Sequence, residues 1–141
     1  MNHPVLQFYI ESNHFGSLLG MNFEVEGPGR ILYSMKVEER HLATPRAAHG
    51  GAVCTLMDAT MGVCALSKVI EKNQVVSTIE MKISFVAPAI LGDTLIGKAE
   101  IIKSGHRLLF VEGRIENQSG HLIASASGTF NAYPAEKAGF Q

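Results

Sequence analysis

The residues best able to do chemistry in this sequence are His49-Gly50-Gly51 and, nine positions after the histidine, Asp58. The two glycines fall where a loop is predicted to become a helix, and they allow a backbone turn that other residues tolerate poorly and an unobstructed approach to the backbone N–H groups. The first amides of a helix have no acceptor within the helix and lie at the positive end of its dipole. They could therefore donate to an oxygen that becomes negative during acyl transfer.

Asp58 is the only charged residue from Gly50 to Ser67. A solvated helix face normally carries several Lys, Glu or Gln side chains, so a lone carboxylate favours a buried or interfacial position with a partner or a catalytic role. A solvent-exposed acid is the alternative, and it is the commoner outcome for a single aspartate considered by itself. Helical geometry puts Asp58 roughly 140° round from the apolar stripe, on a face shared with three small residues: Cys54, Gly62 and Ala65.

His49 and the glycine pair also have purely structural interpretations. A histidine before a helix often serves as a cap or satisfies a single hydrogen bond, and two glycines can simply let a helix enter closely against a sheet. The combination with Asp58 is what favours a catalytic site. The sequence has no ligand cluster with metal spacing, no phosphate-binding loop and no serine nucleophile elbow, so we expect neither a metal nor a cofactor.

Hydrophobic periodicity predicts the elements that position these residues. Spacing of i, i+3, i+4 and i+7 predicts one long helix between His49 and Lys68. Alternating apolar residues predict a hairpin within 22–39, turning at Gly27-Pro28-Gly29, and four strands in a meander after Asn73. The stripe that indicates the helix comprises Val53, Leu56, Met57, Thr60, Met61 and Cys64.

These elements amount to a single α+β domain spanning 1–141, in which an antiparallel sheet of about six strands is wrapped around one long helix. Mixed apolar spacing over 4–19 predicts one or two short helices, and 134–141 is predicted to be a loose tail. Several strands are apolar on both faces, and one helix cannot cover both, so part of this surface is expected to contact another subunit. The apolar second-face residues are Val76, Val86, Ile96, Ile102, Leu108 and Phe110.

Charge, cysteine content and hydropathy limit the kinds of partner and the cellular location that suit this sequence. The 141 residues include 12 basic and 13 acidic side chains, giving a formal charge of −1 without a basic run, which argues against a nucleic-acid partner. Cys54 and Cys64 would lie roughly 15 Å apart on one helix, too far for a disulfide, which suits a reduced, cytoplasmic location. No segment approaches the roughly 20 apolar residues that cross a bilayer, and 1–10 does not have the pattern of a signal peptide, so we expect no membrane partner.

The spacing of His49-Gly50-Gly51, Leu56 and Asp58 resembles that of the hotdog-fold thioesterases of the phenylacetic-acid-degradation group, which share H-G-G, a leucine seven residues after the histidine and an acid nine after it. The strands and turns after the helix are also similar, so the resemblance covers most of the chain. It implies the hotdog fold and a homodimer whose sheets join edge to edge, often paired again into tetramers. The similar later stretches are Val76–Asp93, Ser104-Gly105-His106-Arg107 and Ala124–Phe130.

The resemblance implies an acyl-CoA thioesterase with its active site at the dimer interface. The Gly51 amide would polarise the thioester carbonyl, while Asp58 from the facing subunit would act as general base or as nucleophile. Thr78 would help to hold the water, and His49 would orient the turn and the thioester. An oxyanion donor opposed to a carboxylate is also the minimum that acyl transfer to water requires.

Coenzyme A phosphates would need cationic or backbone partners. Lys82, Lys103, Arg107 and Arg46 are the candidate cations, with Gly105 and Gly50 giving backbone access to the substrate. Each of these cations taken alone is more often an ordinary solvated surface residue.

One position departs from the family pattern. The family commonly has Asn or Gln six residues before the histidine, as a second contact to the carbonyl, and this chain has Ala43 there. Either His41, Thr44 or a water takes that place, or the enzyme is slow, because losing one oxyanion donor costs about 10²–10³ in rate. Ala43 also motivates an alternative, a non-catalytic protein that binds or senses acyl-CoA. A hotdog dehydratase or hydratase ranks last, because its Asp/His pattern is missing.

Overall fold

The computed structural model describes residues 1–140 and contains one sheet of six strands wrapped around one long helix, as predicted. Two short helices precede the sheet, and 3-10 turns lie at Glu39–His41, Ile70–Lys72 and Ala135–Ala138. The helices and strands are α1 Pro4–Ser12, α2 His14–Leu18, β1 Asn22–Gly27, β2 Arg30–Lys36, α3 Gly50–Val69, β3 Gln74–Phe85, β4 Thr94–Ser104, β5 Leu108–Glu116 and β6 Leu122–Pro134.

The central helix α3 is held by the apolar stripe that predicted it, and every residue of that stripe is buried. Two glycines let the helix approach the middle of the sheet closely. A Cβ on Gly97 of β4 would overlap the Thr60 side chain, and one on Gly113 of β5 would lie 2.7 Å from the Met57 sulfur. The strands therefore need glycine here for the space it leaves and not for its conformation.

The expectation that no segment approaches membrane-spanning composition is wrong for this helix. Gly50–Lys72 is long and apolar enough to cross a membrane by length and composition alone, with a mean hydropathy of 1.5 in its most apolar window. Of that window, 67% is buried inside the structure. A helix surrounded by its own sheet is apolar on most of its circumference, so the finding is weak evidence for a membrane segment.

The sheet order β1-β2-β4-β5-β6-β3 corrects the predicted meander. Of the four strands after α3, only β4, β5 and β6 are neighbours in chain order, whereas β3 pairs with β6 at the far edge. The segment 86–93 then crosses the end of the sheet, where Ala48 N–H donates to Ala89 O and Gly92 N–H donates to Val37 O. A turn signal marks where a strand ends, but it does not specify which strand the chain pairs with next.

The chain termini pack together over the end of α3. The two predicted N-terminal helices are confirmed as α1 and α2, and Val5 and Leu6 of α1 are buried. The predicted loose tail is wrong for 135–140, because Ala135 is 1% exposed and the Phe140 ring lies 5.2 Å from that of Phe8. Apolar surface on α1 gives this segment a docking site, which its own composition did not reveal. Gln141, the last residue of the predicted tail, lies outside the described residues.

Apolar side chains remain exposed on the outer face and along the β3 edge, as expected for part of the second-face set. Ile102, Leu108 and Phe110 are exposed on β4 and β5, while Val76 and Ile96 are half-buried. At the β3 edge, Ile79, Phe85 and Val86 are 55%, 54% and 57% exposed.

Candidate active site

The entrance of α3 is organised by His49, which caps the helix. Its Nδ1 accepts a hydrogen bond from the Gly51 N–H at 2.8 Å. The structural interpretation of His49 as a cap is therefore confirmed, and the amide of Gly51 is engaged. To polarise a thioester, as predicted, Gly51 would have to release His49. The Gly50 N–H, at the first helical position, has no acceptor within the helix.

The two glycines do not make an unusual turn here, contrary to expectation, because neither has a positive φ. Their role is to let neighbouring side chains approach the backbone closely. A Cβ on Gly50 would lie 3.5 Å from the Phe85 ring, in ordinary contact, and one on Gly51 would lie 3.0 Å from His49 Nδ1. Phe85, at the end of β3, therefore forms one wall of the entrance beside the Gly50 amide.

Asp58 is half-buried and has a direct partner on the neighbouring strand. The Thr78 hydroxyl donates to Asp58 Oδ1 at 2.6 Å, which joins α3 to β3 at mid-strand. This places the predicted pair in one site. A hydroxyl that donates to the carboxylate still has lone pairs with which to accept a hydrogen bond from a water.

Two neutral side chains feel the charge of this carboxylate. Burial raises the pKa of Tyr9 well above its ordinary value, and nearby Tyr33 and Asp58 raise it further. Burial also raises the pKa of the Cys54 thiol, and Asp58 adds to the effect. Cys54 therefore stays protonated at neutral pH, which leaves Asp58 as the group on this face able to act as base or nucleophile.

A cavity of about 290 Å³ opens beside Asp58, between α3 and β3. Its walls are largely apolar and include Ala59, Gly62 and Val63 on the helix. Sequence reasoning missed this feature, because two of its wall residues, Tyr9 and Phe140, belong to chain ends that carried no motif.

Within one chain, the glycine entrance and the carboxylate cannot act on the same carbonyl. Gly50 and Asp58 are eight residues apart on α3, or about 12 Å along its axis at ~1.5 Å per residue. A donor and a base that share a substrate must each lie about 3 Å from the reacting group. One chain therefore contributes the donor half of one site and the carboxylate half of another.

Of the groups suggested to replace the second carbonyl contact that Ala43 lacks, the structure excludes His41. His41 is 2% exposed, its Nδ1 accepts from Glu38 N–H, and its Nε2 lies 2.8 Å from Leu19 O. Both ring nitrogens are thus engaged away from the entrance. Thr44 is exposed and its Oγ1 accepts from Ala47 N–H at 3.0 Å, which leaves its hydroxyl proton free to donate elsewhere.

The predicted coenzyme A contacts are not brought together in one chain. Lys82 lies on the outer face of β3, whereas Lys103 lies on β4, three strand spacings or ~14 Å away. Arg107 donates to Asn131 Oδ1 at 3.4 Å. The Gly105 N–H donates to Leu108 O at 2.7 Å, so the predicted backbone access at Gly105 is not free. Arg46 is exposed in the loop before α3.

Comparison with known proteins gives a consistent result. The family model described as thioesterase superfamily matches residues 47–124. Human acyl-coenzyme A thioesterase 13 is 29% identical over 127 residues, covering 89% of this chain and 89% of that protein. The Escherichia coli PaaI protein from the phenylacetic acid degradation operon superposes with a TM-score of 0.83 at 21% identity, over 91% of this chain and 90% of that chain. A hypothetical thioesterase protein of Streptococcus pneumoniae, solved with coenzyme A, has a TM-score of 0.72 at 25% identity, over 81% of this chain and 89% of that one.

Proposed function

The chain belongs to the thioesterase superfamily and is a thioesterase, and we propose that it hydrolyses acyl-CoA at a site shared between two copies, with Asp58 as the reacting acid. The observation that carries this proposal is the Asp58 carboxylate, held by Thr78 at the wall of an apolar cavity. The likeness to an acyl-coenzyme A thioesterase over 89% of the chain supports the substrate class.

The chemistry follows from the two half-sites. The Gly50 N–H of one copy donates to the thioester oxygen, which becomes negative as the carbonyl carbon turns tetrahedral. Asp58 of the other copy takes a proton from water, and the resulting hydroxide attacks that carbon. When the C–S bond breaks, the coenzyme A thiolate leaves and receives the proton that Asp58 had taken. Alternatively, Asp58 attacks the carbonyl carbon directly and expels the coenzyme A thiolate. Water then hydrolyses the mixed anhydride, which releases the acid, restores the carboxylate and supplies the proton that the thiolate takes up.

The β3 edge supports pairing with a second copy. β3 has 12 residues with one side unpaired within the described chain, and a long edge strand with exposed apolar residues is a surface that proteins normally cover. Around a two-fold axis it would extend the sheet antiparallel, β3 against β3. Its side chains alternate, with Met81 and Ile83 packed on the core and Glu80 and Lys82 on the outer face.

Charge selects the register of this pairing. A two-fold axis through Met81 sets Glu80 opposite Lys82 of the second copy, twice by symmetry. A shift of the axis by one residue in either direction sets Glu80 against Glu80 or Lys82 against Lys82, which is destabilising. The remaining registers would pair an inward-facing residue of one copy with an outward-facing residue of the other, which would turn core side chains outward.

The same register completes the site. The strand has an irregularity just after Thr78 that adds one residue to the count, so this register puts Thr78 opposite Ile83 of the second copy, at a strand spacing of ~4.8 Å, with Phe85 as its diagonal neighbour on the same face. Within each chain the Phe85 ring lies beside Gly50, 3.5 Å from where a Cβ would be, and Thr78 holds Asp58. Asp58 of one copy is therefore brought close to the Gly50 amide of the other, which removes the 12 Å separation within one chain.

Hydrolysis of a panel of acyl-CoAs by wild type and Asp58→Asn tests the function. Loss of the reacting acid should lower kcat by at least ~10², the scale of a general-base contribution, with the substrate still bound. Glu71→Gln, an exposed acid in the turn after α3, is the matched control and should keep wild-type rates. Equal rates for Asp58→Asn and wild type would remove the proposed role of the carboxylate.

Ala43 favours one second candidate function, a protein that binds acyl-CoA without hydrolysing it. With alanine at that exposed position, the carbonyl would have a single backbone donor unless Thr44 or a water adds another. Tight acyl-CoA binding by the wild type without release of free thiol would favour this candidate. Release of thiol that depends on Asp58 would exclude it.

A further inference from the structure

The cavity beside Asp58 runs along α3 towards the helix C-terminus. Its helical wall begins at Asp58 and ends at Leu66, a distance of about 12 Å along the axis, and its strand wall runs back from Thr78 to Val75. The carboxylate therefore lies at one end of an elongated space. A thioester carbonyl placed at Asp58 would direct its acyl group along this space.

Both chain termini contribute to the wall of the cavity. Val5 and Leu6 of α1 pack with Leu66 and Val75, and Tyr9, one turn further along α1, lines the cavity. From the C-terminus, Phe140 joins the same wall. Because the Phe140 ring also packs on Phe8 of α1 at 5.2 Å, the two termini hold each other in place.

The size and charge of the cavity define what fits it. A volume of about 290 Å³ corresponds to about ten groups of ~30 Å³, the volume of a water in the liquid and close to that of a methylene. Among the lining residues that the structure describes, Asp58 is the only formally charged side chain. Tyr9 is a neutral phenol, because burial raises its pKa. The space therefore suits an uncharged apolar acyl group and disfavours an acyl group that carries a second carboxylate.

Resting on the proposed function, we infer that this cavity takes the acyl chain. Phe140, which packs on the cluster that contains Leu66 and Val75, closes the far end and limits the chain to about ten carbons, while Tyr9 forms a side wall. Tyr9 and Phe140 are then specificity-determining residues supplied by the two ends of the chain. Gly62, on the helical wall, sets the width, because a Cβ there would lie 3.6 Å from the Phe130 ring and a longer side chain would enter the space.

Binding of S-alkyl-coenzyme A thioethers of two to sixteen carbons tests the inference without hydrolysis. Titration calorimetry should show affinity rising about fourfold per methylene up to about ten carbons and then levelling off. Affinity that does not depend on chain length, or that keeps rising to sixteen carbons, would overturn the inference. Failure of the proposed function would instead be seen as absence of acyl-CoA hydrolysis, whatever the binding profile.

Two variants test the walls from opposite directions. Phe140→Ala should move the plateau to longer chains, and Gly62→Leu should move it about three to four carbons shorter. Phe15→Ala is the matched control, because Phe15 is 59% exposed on α2 and does not line the cavity. If Phe140→Ala leaves the plateau where the control has it, Phe140 is not the end wall and the length limit has another origin. An unchanged plateau in Gly62→Leu would place the acyl chain outside the cavity.

Discussion

Replacing Gly50 with proline removes the proposed oxyanion donor and little else. Proline has no N–H, and it is favoured at the first position of a helix because its φ already matches. The residue before a proline must be extended, and His49 already has φ −60° and ψ 137°. The added Cβ would lie 3.5 Å from the Phe85 ring, in ordinary contact, so the helix entrance should keep its structure.

The magnitude follows from losing one backbone donor to the developing oxyanion. Such a loss costs about 10²–10³ in kcat, or about 2.7–4 kcal/mol of transition-state stabilisation. Gly50→Ala is the matched control, because it adds the same Cβ and keeps the N–H. The assay is release of coenzyme A thiol from a saturating acyl-CoA, with melting temperatures measured alongside.

We expect Gly50→Pro to lose at least a hundredfold in kcat relative to Gly50→Ala, at a similar melting temperature. If the two variants turn over within tenfold of each other, the Gly50 amide is not the donor. The Gly51 amide would then be the remaining candidate at this turn, and it would have to exchange its bond with His49 for one to the substrate.

Two further predictions concern assembly and alkaline stability. Glu80→Lys should weaken dimerisation, measured by sedimentation, because it turns two attractive cross-strand pairs of about 0.2–1 kcal/mol each into repulsive ones. Adding Lys82→Glu to the same chain should restore the dimer. A double variant that dimerises no better than Glu80→Lys would refute the register. Burial raises the pKa of Cys64 to about 11 from 9.0, so the unfolded state loses its proton first and stability should fall by about 2–3 kcal/mol as pH rises from 9 to 11. Cys64→Ala should show a shallower fall in urea unfolding over that window, and parallel curves for the two proteins would contradict it.

Local periodicity was enough to predict the main elements. The stripe from Val53 to Cys64 predicted α3 because buried helical residues recur every three or four positions. Alternation predicted the buried faces of β4, β5 and β6, because successive residues of a strand point to opposite faces of the sheet. Asp58 could be singled out because a lone charge interrupts an otherwise uncharged helix.

The candidate site was harder to predict than the elements. The sequence indicated His49, Gly51, Asp58 and Thr78, and the structure joins them in two pairs, His49 with Gly51 and Asp58 with Thr78. The sequence left open whether His49 would cap the helix or orient the substrate, because the rotamer of such a side chain depends on its surroundings. Nor could it indicate that His41 would be buried with both ring nitrogens occupied.

The sequence by itself therefore determined which segments are helix or strand, which faces they bury and which acid stands alone. Only the tertiary structure decided that β3 lies at the edge of the sheet beside β6. It also decided that Tyr9 and Phe140, which are 131 residues apart in the chain, line the same cavity. The physical reason is that helical and strand periodicity arises from contacts between near neighbours. Strand order and cavity walls arise from contacts between distant segments, which compete across the whole chain and leave no periodic pattern in any one of them.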